Sequence, residues 1–169
     1  MDLERKRRLK KRTKWILLSI LILLLVIFGL HRFYIFIQQD LWQGEKAAME
    51  RAKSEAGIVE VDQVWKSVWD EVCWVVEGKN EAGEDVVVWL LEGKEPTVKL
   101  LSEGVSESRI LSIIHKDFPQ VDIIRLVPGI YEGKEVWQLF YKEKAHHYYR
   151  FFSFSDGAPL SEVFTLPNR

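Results

Sequence analysis

The sequence predicts an α+β chain in which an N-terminal transmembrane helix precedes two tandem units, each one helix packed on an antiparallel four-stranded sheet. Three observations predict it. Residues 15–37, WILLSILILLLVIFGLHRFYIFI, form an apolar run broken only by His31 and Arg32. Alanine recurs at four-residue spacing in Ala48, Ala52 and Ala56. A helical pattern followed by four strand patterns then occurs twice, in units of roughly 60 residues, a repeat of architecture rather than of residue identity.

At about 1.5 Å of helix rise per residue the uncharged part, Trp15 to Leu30, spans roughly 24 Å and the whole run roughly 34 Å, against about 30 Å of hydrocarbon. It can cross a bilayer once. Arg32 then lies near the far interface, its guanidinium snorkelling outward, with Trp15 on one side and Phe33, Tyr34 and Phe36 on the other as interfacial rings. Ahead of the run lie Arg5, Lys6, Arg7, Arg8, Lys10, Lys11, Arg12 and Lys14, offset by Asp2 and Glu4. Positive charge is retained in the cytoplasm, so the expected topology is a cytoplasmic tail 1–14, a cell-membrane anchor 15–37 and an extracellular remainder. LHRFYIFI after Gly29 is bulky throughout and carries no small-residue cleavage pattern, which predicts an uncleaved anchor. Beside a span the basic tail serves topology and anionic lipid.

Residues 38–169 hold 15 Lys and Arg against 23 Asp and Glu, a balance of −8. Such an acidic portion argues against nucleic acid or another anionic polymer as its main ligand. The single cysteine, Cys73, cannot form an intramolecular disulfide, so this portion must be held by an apolar core, for which it has ample Trp, Val, Ile and Leu.

In chain order, Leu41 to Ala56 reads as a helix whose alanine face can sit close to a sheet, with Gly57 placed to end it. Gln38 to Gly44 is short, so this helix either continues the span or bends away at Gly44. Strands follow at Val59 to Trp65, with Val59, Val61, Gln63 and Trp65 on one face, then at Val72 to Glu77, Asp85 to Leu91 and Thr97 to Leu101. The middle pair forms a hairpin through KNEAGE. That acidic loop lacks the ligand spacing of an EF-hand, so it is expected to be a solvated turn rather than a calcium site. Ser106 is a candidate N-cap for a second helix with Ile110, Leu111, Ile114 and Phe118 on one face, stopped by Pro119. Strands at Val121 to Val127, Lys134 to Lys142, Ala145 to Phe154 and Ala158 to Thr165 are joined by PGIYEGK, KEKA and SDGAP, all rich in turn residues. Domain boundaries fall at 38–103 and 104–169.

A short basic N-terminus, one span, an Ala-rich helix, a V-x-x-V-W strand, the hairpin VCWVVEGKNEAGEDVVVWL and a second helix-plus-sheet unit resemble the YpmB/TseB group of Gram-positive bacteria over essentially the whole chain. The resemblance implies two cystatin-like domains related to the PepSY class, and regulation of cell-wall elongation through contact with a penicillin-binding transpeptidase. It carries over no functional residue.

The residues themselves offer little chemistry. Cys73 lies between Val72 and Trp74 in an apolar strand, where a thiol is inert. His146 and His147 are adjacent in a strand and point to opposite faces, which is poor for a shared metal. No G-x-S-x-G, S-x-x-K, H-E-x-x-H or phosphate-cradling loop occurs. The expectation is a non-enzyme without cofactor, metal, small-molecule substrate or nucleic-acid partner. Aromatic content exceeds what one helix stripe needs, and in HHYYRFFSF both strand faces carry rings, so one of them must pack on something other than its own helix. Trp65, Trp69, Tyr131 and Tyr148 are the candidate partner contacts, since Trp and Tyr are favoured at interfaces. The functions left open are a membrane-tethered module binding another envelope protein, a PepSY-like modulator of an extracytoplasmic peptidase, and a sensor holding a small ligand between the units.

Overall fold

A computed structural model describes residues 2–167, without the side chains of 2–13, Ile37, Gln38 and Asp40; the charge of Arg5 to Arg12 thus lies outside the described residues. Helix α1, Asp2–Ala56, is helical through Gly44 and ends before Gly57, whose φ of +70° suits glycine. The chain divides into two compact units between Gln43 and Gly44.

In the first unit the apolar side chains face outward, Leu21 at 54% and Phe28 at 63% exposure. A soluble core helix would cover such residues. This one is long and apolar enough to cross a membrane, consistent with a single-pass anchor.

In the second unit, β1 (Ile58–Val68), β2 (Val72–Asn80), β3 (Asp85–Leu91) and β4 (Thr97–Leu100) form sheet 1 in that order, every pair antiparallel. A 3-10 turn, Leu101–Glu103, leads to α2, Glu107–Asp117. Then β5 (Asp122–Tyr131), β6 (Lys134–Glu143), β7 (His146–Ser153) and β8 (Pro159–Leu166) form sheet 2, also antiparallel and in chain order. The α+β class and the twice-repeated helix with four strands are therefore present.

Three local expectations change. In β1 the buried residues are Ile58 and Ser67, and Val59 is 54% exposed; register shifts at Ile58/Glu60 and Val61/Gln63 break the two-residue period on which the alternation rested. PGIYEGK is not a loop: β5 runs on through Pro128 and Gly129 to Tyr131, and the turn is only Glu132-Gly133, with φ of 50° and 73° as a type I′ hairpin requires. Pro128 is tolerated because β5 is an edge strand of its sheet. Ser106 occupies the N-cap position of α2, but its hydroxyl lies 3.2 Å from Ser108 Oγ and makes no capping bond.

The apolar residues form three clusters. Ala48 and Ala52 of α1 pack on the Val76, Val86, Val88 and Leu90 face of sheet 1. The other face of that sheet, with Cys73, Val75, Val87 and Trp89, joins Ile110 and Ile114 of α2 and the Trp137, Leu139 and Phe152 face of sheet 2 in one shared core. Tyr131, Val136 and Phe151, on the outer face of sheet 2, make the third.

Polar links tie the sheets together. Trp89 Nε1 donates to the Gly129 carbonyl at 3.1 Å, Asp70 Oδ2 accepts from the Glu132 amide at 2.9 Å, and half-buried Lys99 pairs with Glu135 at 2.7 Å. A Cβ at Gly129 would stand 2.3 Å from Ser67 Oγ and 2.6 Å from Gln138 Nε2, so the absence of a side chain there is what allows β1 to close on β5.

Candidate interaction surface

No group of three or more His, Cys, Asp or Glu is arranged to hold a metal among the described residues. Cys73 is fully buried, and desolvation pushes its thiol up to about 12, so at neutral pH it is not a nucleophile. The KNEAGE loop satisfies itself: Asn80 Oδ1 accepts from the amides of Ala82 and Glu84, both at 3.0 Å, and Asn80 Nδ2 donates to Glu84. An open groove of 240 Å³ lies between α1 and sheet 1, lined by Gly44, Ala48, Arg51, Trp74 and Leu90. Arg51 there is committed to the Leu91 and Lys94 carbonyls and to Glu55, and Lys66 sits 5.4 Å over the Trp74 ring.

Sheet 2 carries the larger aromatic surface. Strand alternation turns Trp137, Leu139, Tyr141 and Phe152 toward α2 and leaves Val136, Gln138, Phe140 and Lys142 of β6 with His147, Tyr149 and Phe151 of β7 on the outer face. The β1–β2 turn delivers Trp69 onto this face, 5.0 Å from each of Tyr149, Phe151 and Phe164. Tyr131 stacks on Phe151 at 4.3 Å and 7°.

The four candidate contacts thus separate. Trp69 and Tyr131 meet in one cluster, with Trp69 half-exposed and Tyr131 at only 6%. Trp65 and Tyr148 lie at the half-buried margin of the shared core, Tyr148 stacked on Tyr141 at 5.3 Å. Sequence reasoning passed over Phe140, which stacks on Tyr149 at 4.7 Å and on His147 at 5.7 Å. The signal was available in the alternation of Gln138, Phe140 and Lys142, which puts a ring among polar neighbours on the face away from α2.

Glu77 lies on β2 of sheet 1. It is half-buried, and burial, with the charges of Asp62, Glu107 and Asp85, raises its pKa. Between the ordinary glutamate value and the raised one the native state holds more proton than the unfolded chain, so stability falls as pH rises through that window. Glu77→Gln is expected to raise the urea midpoint above the window, with the gain vanishing below it. An unchanged difference across pH would show that Glu77 is fully solvated.

Similarity to known proteins places the chain in a family. Residues 47–90 match the "Cell wall elongation regulator TseB-like domain". The chain is 31% identical over 125 residues, 72% of its length and 77% of the relative's, to the "Probable cell wall elongation regulator TseB" of Bacillus subtilis (strain 168). Its structure is similar to that of the YpmB protein from Bacillus subtilis, with a TM-score of 0.64 and 28% identity, covering 73% of this chain and 98% of that one. With the order of elements, the antiparallel sheets and the sequence similarity in agreement, the chain belongs to the TseB-like family of cell wall elongation regulators.

Proposed function

We propose that this regulator works as a single-pass, membrane-anchored extracytoplasmic interaction protein that binds a penicillin-binding transpeptidase and has no chemistry of its own. The observation that supports this most is the similarity to a relative named as a cell wall elongation regulator. In this proposal the tail 1–14 is cytoplasmic, the anchor is 15–37, and 38–103 and 104–169 are two cystatin-like, PepSY-related domains. Half-exposed Trp65, Trp69 and Tyr148 are the partner contacts, and Tyr131 supports the Phe151 ring on which Trp69 rests. Anchoring contributes by position, because confinement to one membrane raises the effective concentration of one protein toward another held in it.

Cross-linking in intact membranes, with fluorescent penicillin to label captured transpeptidases, tests the proposal. A labelled band in complex with the full chain is expected. It should be lost when residues 1–37 are replaced by a cleaved signal sequence, with secretion of the product verified. Capture of a peptidase and no penicillin-labelled protein would overturn it in favour of peptidase modulation.

A further inference from the structure

Trp69 covers the Tyr131 end of the outer face of sheet 2 and reaches as far as one side of the Tyr149 ring, 5.0 Å away; beyond it the face is open. In the open half Phe140 lies between Tyr149 and His147 in a near-parallel stack, with interplanar angles of 21° and 27°. All three rings are half-exposed. Register places Arg125 opposite Phe140 and Lys142 opposite His147, so two exposed cations border the stack. Neither has an ion pair among the described residues, and Asp122, the register partner of Lys142, makes none with it.

Arg51, Lys79, Lys94 and Lys99 are each held by a carboxylate within 2.7 Å, whereas, among the described residues, Arg125 and Lys142 stand unpaired beside the rings. The covered half of the same face is acidic, since Asp70, Glu132 and Glu162 all act on Tyr131. On this face the Tyr131 end carries those three carboxylates with Lys134, and the open end carries Arg125 and Lys142 with Asp122.

An isolated cation needs no partner in water, but two of them framing a ring stack match a ligand that brings carboxylates and flat or apolar groups together. Electrostatic complementarity of this kind sets orientation and partner choice, while rings supply the buried contact. Resting on the function proposed above, we infer that the Arg125–Phe140–Lys142–Tyr149 half-face is a second partner-binding surface, beside the contacts at Trp65, Trp69 and Tyr148, and takes an acidic, ring-bearing stretch of the partner polypeptide. A phosphate-rich wall polymer would satisfy the cations and leave the rings unused.

The test uses full-length protein in detergent micelles and a labelled glutamate–tyrosine copolymer, with polyglutamate and a ribitol-phosphate polymer as comparators. Saturable binding is expected for the copolymer, at least about tenfold tighter than for either comparator. Arg125→Glu with Lys142→Glu should weaken it by about tenfold or more, whereas Arg109→Glu with Lys116→Glu on α2, the same change in net charge, should alter it by less than about twofold. Phe140→Ala, verified as folded by near-UV circular dichroism, should bring the copolymer down to the polyglutamate level. Equal losses in both double reversals, or preference for the phosphate polymer, would overturn the inference. In cells, undiminished transpeptidase capture by the Arg125/Lys142 variant would overturn this surface and leave the proposed function standing. No capture by the unaltered protein would instead overturn the function, and copolymer binding would still decide the surface.

Discussion

Trp89→Ala is expected to lower the stability of the second unit by about 3–5 kcal/mol, a large part of the roughly 5–15 kcal/mol that holds a typical domain. Trp89 is fully buried, lies edge-on to Phe154 at 4.7 Å and 83°, and reaches from sheet 1 to the Gly129 carbonyl of sheet 2. Removing it opens a cavity in the core that both sheets share and deletes the hydrogen bond from sheet 1 to the Gly129 carbonyl. Trp89→Phe separates the two effects, keeping most of the ring contact while losing the hydrogen bond, and should cost about 1–3 kcal/mol. Urea unfolding of the full chain in micelles, followed by near-UV circular dichroism, reads both. Losses below about 1 kcal/mol for the alanine variant would mean that the sheets are stabilised separately.

Gly78→Ala should cost at least about 3 kcal/mol, above the ordinary range for one added methyl group. Its Cβ would stand 2.1 Å from the Glu60 carbonyl oxygen, an obstacle made of backbone within the irregular part of the β1–β2 ladder. A side chain could rotate away, but this oxygen can move only if the ladder opens. Gly83→Ala is the comparison: it has a φ of +79° and nothing within 4 Å of the added carbon, so only conformational strain of about 1 kcal/mol is expected. Equal midpoints for the two variants would refute the steric account.

The sheet hairpins were legible because their determinants are local. Val86 to Leu91 is an apolar run led by three β-branched valines and preceded by a turn, and it forms β3 with the expected bounds Asp85 to Leu91. The failures have equally physical causes. The bulges of β1 depend on how the backbone pairs with β2, and the side-chain pattern of β1 alone reads through them. PGIY looked like a turn because Pro and Gly usually make one, whereas an edge position leaves the missing amide of Pro128 without consequence. Rings on both faces of HHYYRFFSF did announce that sheet 2 needed cover on its second side. That the cover is Trp69, from a turn about 80 positions earlier in the chain, has no sequence signal, because nothing local to either segment specifies their meeting.

The shared core also has a consequence in time. Polypeptide synthesis delivers the chain from its N-terminus at about 5–20 residues per second, so sheet 1 is complete roughly 3–13 s before the last strand of sheet 2 exists. During that interval the Val75, Val87 and Trp89 face has no permanent cover. A nascent chain stalled after Leu100 should therefore be a strong client for holdase chaperones, and extending the stalled chain through β8 should release it.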